Sequence, residues 1–210
     1  MAPQKPRQRD AAQTRARILA AAIREFTARG FAGARLDAVA QRGKVTKGLI
    51  FHYFRTKESL YVAALERMYE RLRQRQNQIA LAGLGPEEGI RQLAIETFRS
   101  FREEPQIVAM MNEENLQKGR HVRRSAMVPS LYNPLIADIS RLIGEGARGG
   151  IFRADVDPVG FYVALSGATY FYCSNRHTLG AVFGRDLFSA AHIEEYEKLV
   201  ADMVIAYLKA

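Results

Sequence analysis

Cysteine is almost absent: Cys173 is the single one in 210 residues. One thiol rules out an intrachain disulfide framework and accords with a reducing cytosol. Long apolar runs are missing as well. The longest uncharged stretch, Pro158 to Asn175, is broken by Gly160, Ser166, Gly167, Thr169 and Ser174, so it reads as a buried helix and not as a membrane span. The opening MAPQKPRQRD has no apolar core of a secretory signal. The expectation is a cytoplasmic protein with no membrane partner.

Catalytic signatures are also lacking. There is no nucleophile–base pair, no glycine-rich phosphate loop, and no pair of carboxylates suited to acid–base work. Glu113 and Glu114 are adjacent, so on a helix they diverge by about 100°. His121, His177 and His192 show no metal-ligand spacing. Cys173 reads as a small buried residue. The expectation is therefore no enzyme, no metal and no cofactor. Sustained alternation of apolar and polar residues is absent, which excludes a sheet, and no internal repeat is present.

Acidic charge is scarce in one part of the chain. Residues 1–60 hold 13 basic side chains against 4 acidic ones, whereas residues 61–210 hold 18 of each. The whole excess of +9 thus sits on the first sixty residues. Such segregation points to an anionic partner, nucleic acid or a membrane surface. An apolar fraction of 48% leaves ample material for a core.

The apolar spacing is helical throughout. Residues 1–9 read as a disordered arm, either a plain tail or one that carries Lys5, Arg7 and Arg9 into a minor groove. Asp10 and Gln13 resemble a capping box for a first helix, which ends near Gly30. A second helix covers Leu36 to Gln41 and is broken by Gly43. Thr46 caps a third, running to Phe54, and Thr56 caps a long fourth, to about Gln78. LAGLGPEEG is a loop. Further helices are expected at 87–103, 106–117, 129–148, 158–178 and 192–208. The predicted fold is all-α, with a three-helix DNA-binding domain at 10–58 and a larger helical domain at 59–210.

The segment KVTKGLIFHYF carries the function. Two short helices joined by a tight turn make a helix-turn-helix, whose second helix enters the DNA major groove with its first turn at the base edges. Thr46 and Lys47 occupy that turn. Gly48 costs about 1 kcal/mol of helix propensity relative to alanine, and its missing side chain lets the backbone approach DNA. Ile50 and Phe54 point inward, while Phe51, His52 and Tyr53 stay near the surface, where they can touch thymine methyls or phosphates. Lys57, at the next helix start, adds charge where free backbone N–H groups favour phosphate.

ARILAAAIREFTARGF followed by LDAVAQRGKVTKGLIFHYFRTKESLY resembles the DNA-binding domain of the TetR family of bacterial repressors. The resemblance covers about fifty residues. It implies a homodimer on a near-palindromic operator, the last two helices forming the dimer surface. The remaining helices would bind a small effector, and the long fourth helix would link the two domains. NEENLQKG, GGIFRADVDP and YFYCSNRHTLGAVFG are similar in layout to family members that govern aromatic or heterocyclic catabolism. Two positions depart from the family pattern. Lys44 stands where glycine is frequent, which predicts a strained or shifted turn. Ala34 and Arg35 replace a hydroxyl residue at the second helix start, and Arg35 can supply the phosphate contact instead.

The larger domain is rich in aromatics: Phe98, Phe101, Tyr132, Phe161, Tyr162, Tyr170, Phe171 and Tyr172. Each alone reads as core, and together they can enclose a ligand cavity. Asn112, Asn115, Tyr132, Ser166, Tyr170 and Asn175 are the candidate polar contacts to an effector. The competing reading is a DNA-binding dimer with no effector, whose helical body serves only dimerisation or a protein partner.

Overall fold

The computed structural model describes the backbone of residues 6–80 and 83–209, and side chains over 10–77 and 83–209. The described residues form ten α-helices and one 3-10 turn: α1 Pro6–Gly33, α2 Leu36–Gly43, α3 Lys47–Phe54, α4 Lys57–Ala80, α5 Pro86–Glu103, α6 Pro105–Leu116, the turn Val122–Arg124, α7 Met127–Arg148, α8 Pro158–Ser174, α9 Arg176–Phe183 and α10 Ala190–Lys209. No strand occurs among them, and the all-α expectation holds.

The local signals explain most boundaries. Thr46 caps α3 by accepting from the Leu49 N–H at 3.2 Å. Thr56 takes the Ser59 N–H at 3.0 Å. Asp157 accepts from the N–H groups of Val159 and Gly160 at the start of α8, where Pro158 supplies a preset first turn.

Two expectations are corrected. The backbone is already helical at Pro6, so Asp10 lies inside α1 and caps nothing. The arm residue Lys5 lies outside the described residues, and the side chains of Arg7 and Arg9 lie outside the described side chains. The first helical run does break at Gly30, as expected: its φ of 64° and ψ of 178° are non-helical, and a second short run continues to Gly33. The Phe31 N–H freed by the kink donates to Glu113 Oε1 at 3.0 Å. The helix expected over 158–178 is two helices. Asn175 Nδ2 takes the Phe171 carbonyl at 2.9 Å, closing α8, and α9 continues until Gly184, whose φ is 61°.

The chain packs as two compact units, one of residues up to Met68 with Ala109–Met127, the other of Tyr69–Val108 with the residues from Val128 on. The first is built on Ile18, Ala22, Phe26, Val39, Ile50, Phe54, Leu60 and Leu65, all buried. Glu25, 2% exposed, accepts from the Arg35 N–H at 3.2 Å and from Arg42 at 3.3 Å, holding both ends of α2 against α1. The segment after α6 closes this unit. Glu114 accepts from the N–H groups of His121 and Val122 and from the buried His121 ring, which packs on Phe31 and Tyr61 at 4.5 and 4.7 Å. Glu113 and Glu114 thus serve different neighbours, as their helical divergence requires.

In the second unit α5, α7, α8 and α10 surround Ile90, Leu93, Ile139, Leu142, Leu165, Val204 and Leu208. Arg99 grips Glu197 with two nitrogens at 2.7 and 2.9 Å, and Arg91 meets Asp202 at 2.7 Å, so α5 and α10 are joined by charge as well as by core. The Glu197 hydrogen bonds raise the Arg99 pKa against the opposing cost of burial.

Candidate functional site

Lys44 and Lys47 flank the α2–α3 turn. Lys44 closes α2 with φ 51° and ψ 49°, left-handed backbone, and its N–H returns to the Ala40 and Gln41 carbonyls. The turn position that favours glycine is thus held by lysine under strain. Arg35 precedes α2 with no side-chain cap and is exposed. Ile50 and Phe54 are 1% and 5% exposed, and Phe51 is 42% exposed. His52 is exposed too, with its ring edge-on to half-buried Tyr53 at 5.3 Å. A Cβ added at exposed Gly48 would meet only Thr46 Oγ1, at 4.0 Å, so the protein's own packing does not demand a glycine there.

The two lysines singled out from the sequence differ. Lys47 is exposed on the first turn of α3 and pairs with Asp37 of α2 at 3.1 Å. Lys57 is half-buried. Its Nζ donates to the Ala32 carbonyl at 3.2 Å and lies 5.1 Å from the centre of the Phe31 ring.

The six expected effector residues fall in two places. Asn112 and Asn115 lie on the first-unit part of α6, both exposed, and Asn115 Nδ2 donates to the Met111 carbonyl at 3.0 Å. The other four belong to the second unit. Tyr132 of α7 faces Tyr162 of α8, ring centres 6.0 Å apart. Ser166, one turn beyond Tyr162, has a buried hydroxyl with no partner among the described residues. Tyr170 is half-buried, edge-on to Phe101 at 5.7 Å. Asn175 is spent on the end of α8.

Sequence reading passes over Arg73, which is 1% exposed on α4, with its Cζ 4.2 Å from the Tyr132 ring centre. The signal lies in the helical period. Buried Leu65 and Leu72 are followed four residues on by Tyr69 and Gln76, and the next step from Tyr69 is Arg73. Among the described residues no three His, Cys, Asp or Glu side chains converge as metal ligands, and no helix is long and apolar enough to cross a membrane.

A basic helix-turn-helix unit joined through α4 to a helical body defines a DNA-binding transcription factor with a sensor domain. The model of bacterial regulatory proteins of the tetR family matches residues 18–64, and that of the tetracyclin repressor-like C-terminal domain matches residues 86–204. The chain belongs to the TetR family and is a ligand-responsive DNA-binding regulator. It is 29% identical to the transcriptional repressor NicS of Pseudomonas putida over 97% of this chain and 96% of that one. Two solved structures share its fold. The transcriptional regulator SCO4942 of Streptomyces coelicolor superposes with a TM-score of 0.70 at 23% identity, covering 93% of this chain and 98% of that one. FadR of Bacillus subtilis, in complex with stearoyl-CoA, has a TM-score of 0.70 at 13% identity, covering 91% and 98%.

Proposed function

We propose that the protein is a cytoplasmic homodimeric repressor that holds a near-palindromic operator through α3 of each protomer and releases it when a small effector enters the second unit. The first turn of α3 carries this reading: a threonine cap, an exposed lysine and a glycine that packing does not require, followed by exposed Phe51 and His52 and half-buried Tyr53. In this reading Thr46, Lys47 and Gly48 face base edges, Phe51, His52 and Tyr53 meet thymine methyls or phosphates, and Arg35, Lys44 and Lys57 serve phosphates.

The dimer is supported by exposed apolar side chains on α8 and α10. Val159, Val163 and Phe171 are 52%, 62% and 56% exposed, and Leu199, Met203 and Tyr207, each four residues apart, are 58%, 47% and 46% exposed. Apolar stripes of this kind are what a homodimer interface covers.

Selection of duplexes from a random pool with the full-length protein tests the reading. The recovered sequences are expected to share two inverted half-sites whose centres lie about 10 base pairs, or a multiple of that, apart. Recovery of a pool with no common sequence would reduce α3 to a non-specific electrostatic surface.

A further inference from the structure

Arg73 heads the largest fully buried side chains among the described residues. None of its three guanidinium nitrogens has a hydrogen-bond partner among the described residues, and no carboxylate pairs with it there. Arginine does not shed its proton in a protein, so the site holds a buried positive charge. A charge taken out of water without a counter-charge is among the least favourable arrangements in a folded chain. What faces it is aromatic: the ring centres of Tyr132 and Tyr162 lie 4.2 and 5.3 Å from Cζ. Cation–π attraction offsets part of the cost. The Tyr132 ring supplies no negative charge at neutral pH. Burial holds the Tyr132 phenol protonated, raising its pKa against the opposing pull of Arg73.

The second unit carries further unmet polar atoms. Gln76, one turn along α4 from Arg73, sets its Nε2 2.7 Å from Thr97 Oγ1, and its Oε1 has no partner among the described residues. Asn77 Oδ1 on α4, Ser100 Oγ on α5 and Ser166 Oγ on α8 also lack partners among the described residues. Natural interiors leave few such atoms, and a cluster of them calls for an explanation. Ordered water satisfies a neutral amide or hydroxyl but brings no charge to a guanidinium.

We infer that Arg73 anchors the carboxylate of a small anionic effector, whose flat body lies against Tyr132 and Tyr162 and whose own donor group reaches Gln76 Oε1 or Asn77 Oδ1. The planar guanidinium fork matches two carboxylate oxygens. A single buried cation balances one negative charge, which favours a carboxylate over a phosphate monoester carrying nearly two. This assignment rests on the ligand-responsive reading of the second unit and names the chemistry that the unit recognises.

The test uses the full-length protein with benzoate, 3-hydroxybenzoate, 4-hydroxybenzoate, the three matching amides and phenyl phosphate, read by calorimetric titration and thermal shift. The acids are expected to bind at least about tenfold more tightly than their amides, the difference that hydrogen bonds to a charged partner make. Arg73→Met is expected to raise the melting temperature of the ligand-free protein and abolish binding of the acids. Arg73→Lys keeps the charge without the fork and is expected to weaken the acids by at least about tenfold. Four results would overturn the assignment: no binding by any acid, amides or phenyl phosphate binding as tightly as the acids, undiminished acid binding by either variant, or an Arg73→Met chain that melts lower or fails to fold. Operator release measured on the same samples separates the two readings. Acids that bind through Arg73 but leave the operator bound refute release and spare the anion site. An amide that releases the operator where no acid does refutes the anion site and spares release.

Discussion

Gly48 and Lys44 are opposite exceptions to backbone preference. Gly48 sits inside a helix where nothing crowds it, so Gly48→Ala is expected to raise stability by about 1 kcal/mol in denaturant unfolding. The same change should weaken operator binding if, as proposed, this exposed position faces DNA. A more stable variant with unchanged affinity would remove the glycine from the interface. Lys44 holds left-handed backbone at the end of α2. Lys44→Gly is expected to stabilise the protein by about 1 kcal/mol, the penalty a side chain pays in that conformation. Operator affinity should fall if the lysine side chain meets a phosphate, and stability and affinity then move apart. Cys173 is a buried thiol whose pKa burial pushes up to about 12. Its alkylation by iodoacetamide at pH 8 is expected to run roughly a thousandfold slower than that of a free cysteine. Labelling at the free-cysteine rate would mean that α8 opens readily around it.

The helices differ in how openly the sequence declares them. The α2–α3 pair is legible because its signals are local: Gly43 and Lys44 at the turn, Thr46 at the cap, Ile50 and Phe54 one turn apart. The division at Asn175 is not legible, because an asparagine closes a helix only when its amide reaches back to a carbonyl. Arg73 and Gln76 look like solvated residues in a charged stretch, and only the packing of α5, α7 and α8 around α4 puts them inside. The polar run after α6 hides a structural role for the same reason. Glu114, 4% exposed, binds two backbone N–H groups and the His121 ring, and this pins the segment to the first unit. Glu114→Ala is expected to cost about 3 kcal/mol or more, since it strips buried donors of their charged acceptor. A loss below about 1 kcal/mol in the denaturant midpoint would show that water replaces the carboxylate. Gly146 of α7 makes a different demand: a Cβ there would overlap the Phe152 ring. Gly146→Ala is expected to destabilise by about 1–3 kcal/mol through overpacking.

For the whole molecule, charge and apolar surface divide the labour. The basic excess of the first sixty residues draws the protein to DNA, and the neutral remainder carries the second unit's core and the exposed stripes of α8 and α10. Light scattering at micromolar concentration is expected to give twice the 23.6 kDa chain mass. Adding charge to both stripes, as in Val163→Glu with Met203→Glu, should yield the monomer and with it a steep loss of operator affinity.

The central claim is that α3 reads the operator from its first turn. A pair of titrations at several salt concentrations, against operator and scrambled duplexes, addresses it with Lys47→Ala and Lys57→Ala. Lys47 stands exposed on that turn, and one good base contact discriminates by about 1–3 kcal/mol. Lys47→Ala is therefore expected to narrow the gap between the two duplexes about tenfold or more. Lys57 leans on the end of α1 at the start of α4, and the phosphate contact proposed for it would carry no direct sequence information. Lys57→Ala should weaken both duplexes alike and reduce the log–log salt slope by about one. Loss of discrimination in Lys57→Ala, with Lys47→Ala discriminating as the parent does, would place the reading surface elsewhere and contradict the account.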